Sequence, residues 1–317
     1  MALSLLDLMS VMQKQVVSWL RKSLPVRALK YTARLPFALR ADVRERLAAQ
    51  CFAYEFAVAA IFKDEARFLD EWLTFHHGVG ASHFFLYDNG SRDDYVAVLR
   101  PWIERGLVTL TDWRESPGQR SAYLHCVRSR WREARWIAFI DVDEFLFSPR
   151  QVDVRPILRS YADLPAIFVY SLNFGSSGHS KRPALPVPEA YTRRELLAET
   201  DSGKSIVNPR YVRDVPNSHH FKVWKSDTRD TNRARTSSPT SVKSTNRRPV
   251  YDLLRIHHYW SRSIEDLSDK VGKGDAFYGG ERNFEQHLKR EVPMNAEEDL
   301  SILPIWCEIL RRQMNSS

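Results

Sequence analysis

From residue 55 to residue 173 the chain alternates between two hydrophobic rhythms. EFAVAAIF (55–62) is an unbroken apolar run of strand length, closed by Lys63-Asp64-Glu65, which is how a strand buried on both faces reads. Residues 65–80 change to helical spacing: Phe68, Leu69, Trp72, Phe75 and His76 fall on one face, and Gly78 and Gly80 supply the stop. HFFLY (83–87) is a second strand, ending in the turn sequence Asp88-Asn89-Gly90-Ser91. The rhythm continues with a helix over 95–106, a strand over LVTLTDW (107–113), a helix over 121–135, a strand over WIAFI (136–140) and a strand over AIFVYSLN (166–173).

Strands alternating with helices predict βαβ units and an α/β fold with a mostly parallel, Rossmann-like sheet flanked by helices. Such sheets bind ligands beyond the carboxyl ends of their strands. The polar clusters fall at those ends: Lys63-Asp64-Glu65, Asp88-Asn89-Gly90-Ser91, Asp112-Trp113-Arg114 and Asp141-Val142-Asp143-Glu144. Beyond Asn173 the pattern weakens. NFGSSGHSKRP is a Gly/Ser loop, 224–249 is a polar, basic stretch expected to be a mobile surface loop, and LLRIHHYW (253–260) reads as a late strand before a helical C-terminal third. At the other end Leu5, Met9, Met12, Val16 and Trp19 share a helical face and are followed by Arg21, Lys22, Arg27, Lys30, Arg34 and Arg40. That pattern fits a helix lying in a membrane interface and a helix packed on the protein's own core alike. The expected organisation is a helical extension over 1–50, a main domain over 51–275 with halves at 55–150 and 151–275, and a helical tail over 276–317.

A length of 317 residues with 43% apolar content suits one large domain with extensions. The net charge of +8 points to an anionic partner. Cys51, Cys126 and Cys307 form no CxxC pair, which argues against a zinc or disulfide framework and for a reducing, cytoplasmic setting, with peripheral contact to an inner membrane face through residues 1–40 as its membrane variant. No aromatic residues interleave the basic stretch past Trp224, so no nucleic-acid partner is expected.

The informative stretch is WIAFIDVDEFLF (136–147), an apolar run with three carboxylates in its middle. Read as a strand, it turns Asp141 and Asp143 to one face, roughly 6.6 Å apart, and Glu144 to the other. Unpaired buried carboxylates are costly. A divalent cation, Mg²⁺ or Mn²⁺, removes that cost and leaves positions open for phosphate oxygens.

Six blocks in order, FKDEARFLDEWLTFHHGVGASHFFLYDNGSRDD, RGLVTLTDW, ARWIAFIDVDEFLF, NFGSSGH, KSIVNP and IHHYWSRS, resemble the family-2-like and family-92 glycosyltransferases of the GT-A fold over about residues 56–275. The resemblance implies transfer of a sugar from a nucleotide-diphosphate donor, UDP first among the carriers, to a glycan or lipid-linked acceptor in polysaccharide biosynthesis. It implies a DxD metal motif at Asp141 and Asp143, a nucleotide-contacting loop at Lys63, Asp64 and Glu65, a base-facing acid at Asp88 beside Asn89, and a metal or diphosphate histidine at His258. The family usually carries Asn where this chain has Asp64, and often Asn where it has His257, which leaves the choice between His257 and His258 open. Lys204 and Arg255 are candidates for adding positive potential at a departing diphosphate, and Gln119 for a hydrogen bond to the donor. An inverting reaction needs a carboxylate base, with Glu144, Glu195, Glu199 and Asp201 as candidates. Asn173, Ser176, Ser177 and His179 are candidates for the acceptor pocket. Two other classes compete: a phosphoryl-transfer enzyme using the same metal site, which lacks a GxxxxGK[ST] loop, and a non-catalytic basic module binding nucleic acid or anionic membrane.

Overall fold

The computed structural model describes Leu39 and residues 52–197, 202–224, 227–236, 249–273 and 280–315. Its first half is four parallel strands, β1 (Tyr54–Phe62), β2 (His83–Asp88), β3 (Val108–Asp112) and β4 (Ala134–Phe139), in the order β3-β2-β1-β4. Three helices connect them: α1 (Ala66–Gly78), α2 (Tyr95–Glu104) and α3 (Gln119–Arg130). The strand period explains the unbroken apolar run of β1. Phe56, Val58, Ala60 and Phe62 pack with Leu69, Trp72 and Phe75 of α1 and Leu99 and Trp102 of α2, while Ala57, Ala59 and Ile61 share the other core with Ala122, Tyr123 and Cys126 of α3. Each such large side chain contributes roughly 1.5–3 kcal/mol by leaving water. The third helix starts at Gln119 and stops at Arg130, short of the expected Arg135. A turn at 131–133, with Glu133 N–H donating to the Arg130 carbonyl (3.0 Å), brings β4 alongside β1.

The second half contains β5 (Glu144–Phe147), α4 (Arg155–Arg159), β6 (Ala166–Phe174), α5 (Val187–Ala190), β7 (Arg193–Arg194), β8 (Gly203–Val207), β9 (Val212–Asp214), β10 (Lys222–Val223), β11 (Arg229–Asp230) and β12 (Arg255–Tyr259). β8 lies antiparallel between β4 and the first part of β6, and β12 lies between the end of β6 (parallel) and β5 (antiparallel). The other edge of β5 is closed by side chains of α1. Trp72 Nε1 donates to the Glu144 carbonyl (2.9 Å), and the Leu146 N–H donates to His76 Nε2 (3.1 Å). His76 Nδ1–H donates to the Trp72 carbonyl (2.8 Å), which fixes the tautomer. Burial drives the His76 pKa down to about 3, so the ring stays neutral.

The chain ends with α6 (Ile264–Gly272), α7 (Phe284–Glu291), β13 (Glu297–Glu298) and α8 (Leu303–Met314). A capping box between Ser263 and Asp266 starts α6. α8 lies tightly on α1: Trp306 packs 6.2 Å from the Phe75 ring, and a Cβ at Gly78 would sit 2.5 Å from Ile309 Cγ2. Part of the expected surface loop is sheet. β11 pairs in parallel with β6, Asp230 Oδ1 accepts from the Asn232 and Ala234 N–H groups (2.9 Å each), and Arg233 reaches Asp163 (2.8 Å), so residues 227–236 are folded onto the core by their own turn chemistry. Residues 237–248 and all but Leu39 of the amphipathic N-terminal stretch lie outside the described residues. No described helix is long and apolar enough to cross a membrane.

Candidate active site

Three of the four polar clusters at the strand ends meet in a cleft of about 420 Å³ lined by Lys63, Asn89, Gln119, Asp141, Asp143, Lys204 and His258 among others, while Asp112-Trp113-Arg114 does not line it. The expected strand geometry of the acidic motif is corrected. β4 ends at Phe139, and Asp141-Val142-Asp143 is a turn closed by Glu144 N–H donating to the Asp141 carbonyl (3.0 Å). Glu144 therefore does not face away: Oε2 accepts from the Asp141 N–H (2.9 Å), and its side chain belongs to the same cleft. A turn, unlike a pleat, does not alternate its side chains between two faces.

Each aspartate is met by a lysine. Lys204 Nζ donates to Asp141 Oδ2 (2.6 Å) and lies 3.5 Å from Glu144 Oε2, and the lysine is only 2% exposed. Asp141 Oδ1 accepts from Gln119 Nε2 (2.8 Å) and Tyr123 OH (3.3 Å). Burial pushes the Asp141 pKa up, but Lys204 outweighs it and the carboxyl is held below its usual range. Glu144, equally buried, has Asp141 and Asp143 beside it as well as the lysine, and its pKa is pushed up to about 8, chiefly by burial. Lys204 is raised, because the two carboxylates outweigh its own desolvation. On the other aspartate, Lys270 Nζ donates to Asp143 Oδ2 (2.6 Å) and to the Trp260 carbonyl (2.8 Å). Burial raises Asp143, yet Lys270, His258 and Arg262 hold it well below its usual range.

The strand register resolves the two histidines. His257 is fully buried between Phe174 (4.3 Å) and Phe147 (4.8 Å), and its pKa is driven down to about 3 by burial. His258 faces the cleft. Asn173 Nδ2 donates to Glu195 Oε1 (2.5 Å), so the Asn173 oxygen is the atom turned toward His258 Nδ1 (2.9 Å). That places the proton on Nδ1 and leaves Nε2 bare, 3.6 Å from Asp143 Oδ2. Burial lowers the His258 pKa, with Asp143 opposing. Asp143 Oδ1 is buried without a hydrogen-bond partner. His258 Nε2 and the partnerless Asp143 Oδ1 are the donor atoms this corner offers a divalent cation, with Asp143 Oδ2 already held by Lys270. Asp141 is occupied by its own chain, and among the described residues no group of three His, Cys, Asp or Glu side chains is arranged around one point.

The remaining predicted residues divide. Lys63 lines the cleft with no hydrogen bond or ion pair among the described residues. Asp64 has φ 54°, the left-handed region that Asn and Asp tolerate, and its Oδ1 accepts from the Arg92 N–H (2.6 Å), a role Asn fills equally well. Glu65 pairs with Arg262 (2.8 Å) and Lys273 (2.7 Å). Asn89 lines the cleft and ties the β3 end down through the Trp113 (2.7 Å) and Glu115 (2.8 Å) carbonyls. Asp88 does not line it. The carboxylate is buried in the turn, accepting from Ser91 N–H (2.8 Å) and Tyr95 OH (3.1 Å). Ser176 and His179 also lie elsewhere, because Glu291 accepts from the Ser176 N–H (2.7 Å) and draws the loop after β6 toward α7, where Ser177 N–H donates to Asn295 Oδ1 (2.8 Å). Arg255 is spent on the Tyr251 carbonyl (2.8 Å) and Ser301 (3.0 Å), away from the cleft. Glu199 and Asp201 lie outside the described residues. Sequence reading missed Arg262, Lys270 and Lys273. Their signal was the Ser263–Asp266 cap followed by lysines three apart on one helical face, and nothing local shows that this helix crosses the cleft.

Residues 53–268 match the family model described as Glycosyltransferase family 92. A glycosyltransferase family 92 protein of Oryza sativa subsp. japonica is 34% identical over 180 residues, which is 54% of this chain and 30% of that protein. A family 92 protein of Ricinus communis is 29% identical over 177 residues, 54% and 32% of the two chains. An Arabidopsis thaliana protein named galactan beta-1,4-galactosyltransferase is 34% identical over 101 residues, 28% and 19%. The chain spans about a third of the length of the family 92 relatives it matches. A solved structure, S. aureus TarS 1–349, superposes with a TM-score of 0.35 at 12% identity over 49% of this chain and 47% of that one, too distant to bear on function.

Proposed function

Because this chain belongs to glycosyltransferase family 92, we propose that it transfers a sugar from a nucleoside-diphosphate donor, a UDP-sugar first among the carriers, to a hydroxyl of a glycan or lipid-linked acceptor. The observation that carries the reading is the cleft at the strand ends, where His258 Nε2 stands 3.6 Å from an Asp143 oxygen, the other Asp143 oxygen has no partner, and Lys63 has no hydrogen bond or ion pair among the described residues. Asp143 and His258 would hold Mn²⁺ or Mg²⁺, which neutralises the charge that develops on a departing diphosphate. Asn173 and Glu195 keep His258 in the tautomer with Nε2 free. Lys63 adds a positive charge at the diphosphate, and Asn89 and Gln119 shape the side of the cleft toward β2 and α3. Glu144 is our choice of base for an inverting displacement. Its side chain lines the cleft beside Asp141 and Asp143. Glu195 has its Oε1 committed to Asn173. An Arabidopsis relative named as a galactan galactosyltransferase makes hexosyl transfer to a glycan the first reaction to assay.

The test is calorimetric titration of UDP, GDP and dTDP into the full chain with and without Mn²⁺, repeated on Asp143→Asn. Metal-dependent binding of one nucleotide, lost in the variant, is expected. Well-folded protein that binds none of the three overturns the reading and favours the non-catalytic one.

A further inference from the structure

The two lysines on the acidic turn are not equivalent. Lys204 is built in, wedged between Asp141 and Glu144. Lys270 reaches Asp143 from the last turn of α6, keeps 26% of its side chain exposed, and lines both the 420 Å³ cleft and a neighbouring cavity of about 780 Å³. Its ammonium carries three donors, and Asp143 and the Trp260 carbonyl take two. A divalent cation at Asp143 and His258 would compete with Lys270 for the same carboxylate, and two cations on one carboxylate repel. A nucleoside diphosphate arriving with the metal brings the negative charge that receives the displaced ammonium.

The backbone of α6 need not move for this. The capping box fixes its start, and past its end Lys273 Nζ donates to the Asp64 carbonyl (2.8 Å) and to Glu65 (2.7 Å). Lys63 and Arg290 line the same cleft without a carboxylate partner among the described residues, so an anion entering it meets positive charge besides Lys270. Resting on the donor-site reading above, we propose that Lys270 is an exchangeable internal cation. It neutralises Asp143 in the empty cleft and turns to the terminal phosphate of a nucleoside diphosphate when a divalent cation takes Asp143.

The mark of this role is two effects of opposite sign. The full chain, Lys270→Met and Lys270→Gln are compared by the loss of the free Mn²⁺ paramagnetic-resonance signal and by calorimetry with UDP. The glutamine variant keeps hydrogen bonding to Asp143 without the charge, so at least one uncharged variant retains the fold, checked by its melting curve. Without nucleotide, Mn²⁺ binds both variants more tightly, by roughly 10- to 100-fold, the scale of one charge-assisted hydrogen bond. At saturating Mn²⁺, UDP binds them more weakly by about tenfold or more. A lysine that only holds the fold shifts both affinities the same way or neither, and that result overturns the proposal while the donor site stands. If the wild-type chain binds no UDP with Mn²⁺, the donor-site reading fails and takes the proposal with it.

Discussion

Replacing His76 by Phe separates two effects that the structure assigns to one ring. The first is a lost acceptor. His76 Nε2 receives the buried Leu146 N–H, and Phe leaves that donor unpaired at a cost of about 1–3 kcal/mol, while its ring keeps the aromatic contacts to Phe75 and Phe145. The second is proton linkage. In the unfolded chain the imidazole protonates near its ordinary 6.5, but in the fold it stays neutral down to about 3. Below pH 6.5 the unfolded state therefore gains a proton that the folded state refuses. Stability present above 6.5 is lost as pH falls, by about 1.4 kcal/mol per pH unit and about 5 kcal/mol in all. At pH 4.5 the wild type has lost about 3 kcal/mol through this group alone. His76→Phe is thus less stable than wild type at pH 7.5 and equal or more stable at pH 4.5. Urea unfolding of both proteins at pH 7.5, 6 and 4.5 measures the difference, from which other histidines cancel. A stability gap that stays constant across the three pH values refutes the reasoning, because it means His76 gains its proton equally in both states.

Glu71, pushed up to about 7 mainly by burial, holds its proton in the fold after the unfolded chain has released it, so a penalty grows from pH 4.5 to 7 and then stays. Glu71→Gln keeps an acceptor for the Val187 N–H and is expected to raise stability above pH 7 by up to about 3 kcal/mol with little change below pH 4.5, read from denaturant midpoints. Lys204→Met leaves Asp141 and Glu144 buried without their cation and should cost about 3–5 kcal/mol; an unchanged midpoint would show that the pair holds nothing together. Asp64→Ala should lose about 1–2 kcal/mol at its positive φ, whereas Asp64→Asn should melt with wild type, and equal melting of all three would remove the turn argument.

The strands of the first half were legible because β1 is buried on both sides, so its sequence carries strand length, apolar continuity and a polar stop together. The α/β, GT-A-type expectation followed from that alternation and from the six-block resemblance. The acidic motif was legible as chemistry but not as shape. Apolar residues on both sides of Asp141-Val142-Asp143 make a turn between two strands look like one strand. Choosing His258 over His257 required the pairing of β12 with β5 and β6, since a period of two separates neighbours without saying which face is the cleft. Asp88 reads as a site residue and serves its own turn, because the Ser91 N–H and Tyr95 hydroxyl that claim it are set by the loop's path. Lys270 and Lys273 were invisible for a different reason: their partners, Asp143 and Glu65, stand 127 and 208 positions earlier, and no local pattern spans such a distance.

The closing of the β5 edge by Trp72 and His76 bears on the order in which the chain can assemble. Both anchors precede the groups they hold, by 72 and 70 residues, so α1 has already been synthesised when the acidic turn emerges. The opposite edge waits for β12, near the far end of the main domain, and until then β5 presents an unpaired row of backbone donors and acceptors of the kind that recruits other strands. The cleft at the strand ends is thus completed late in biosynthesis, on a helix laid down early. The interval between the two is when a nascent chain is most exposed to pairing with the wrong partner.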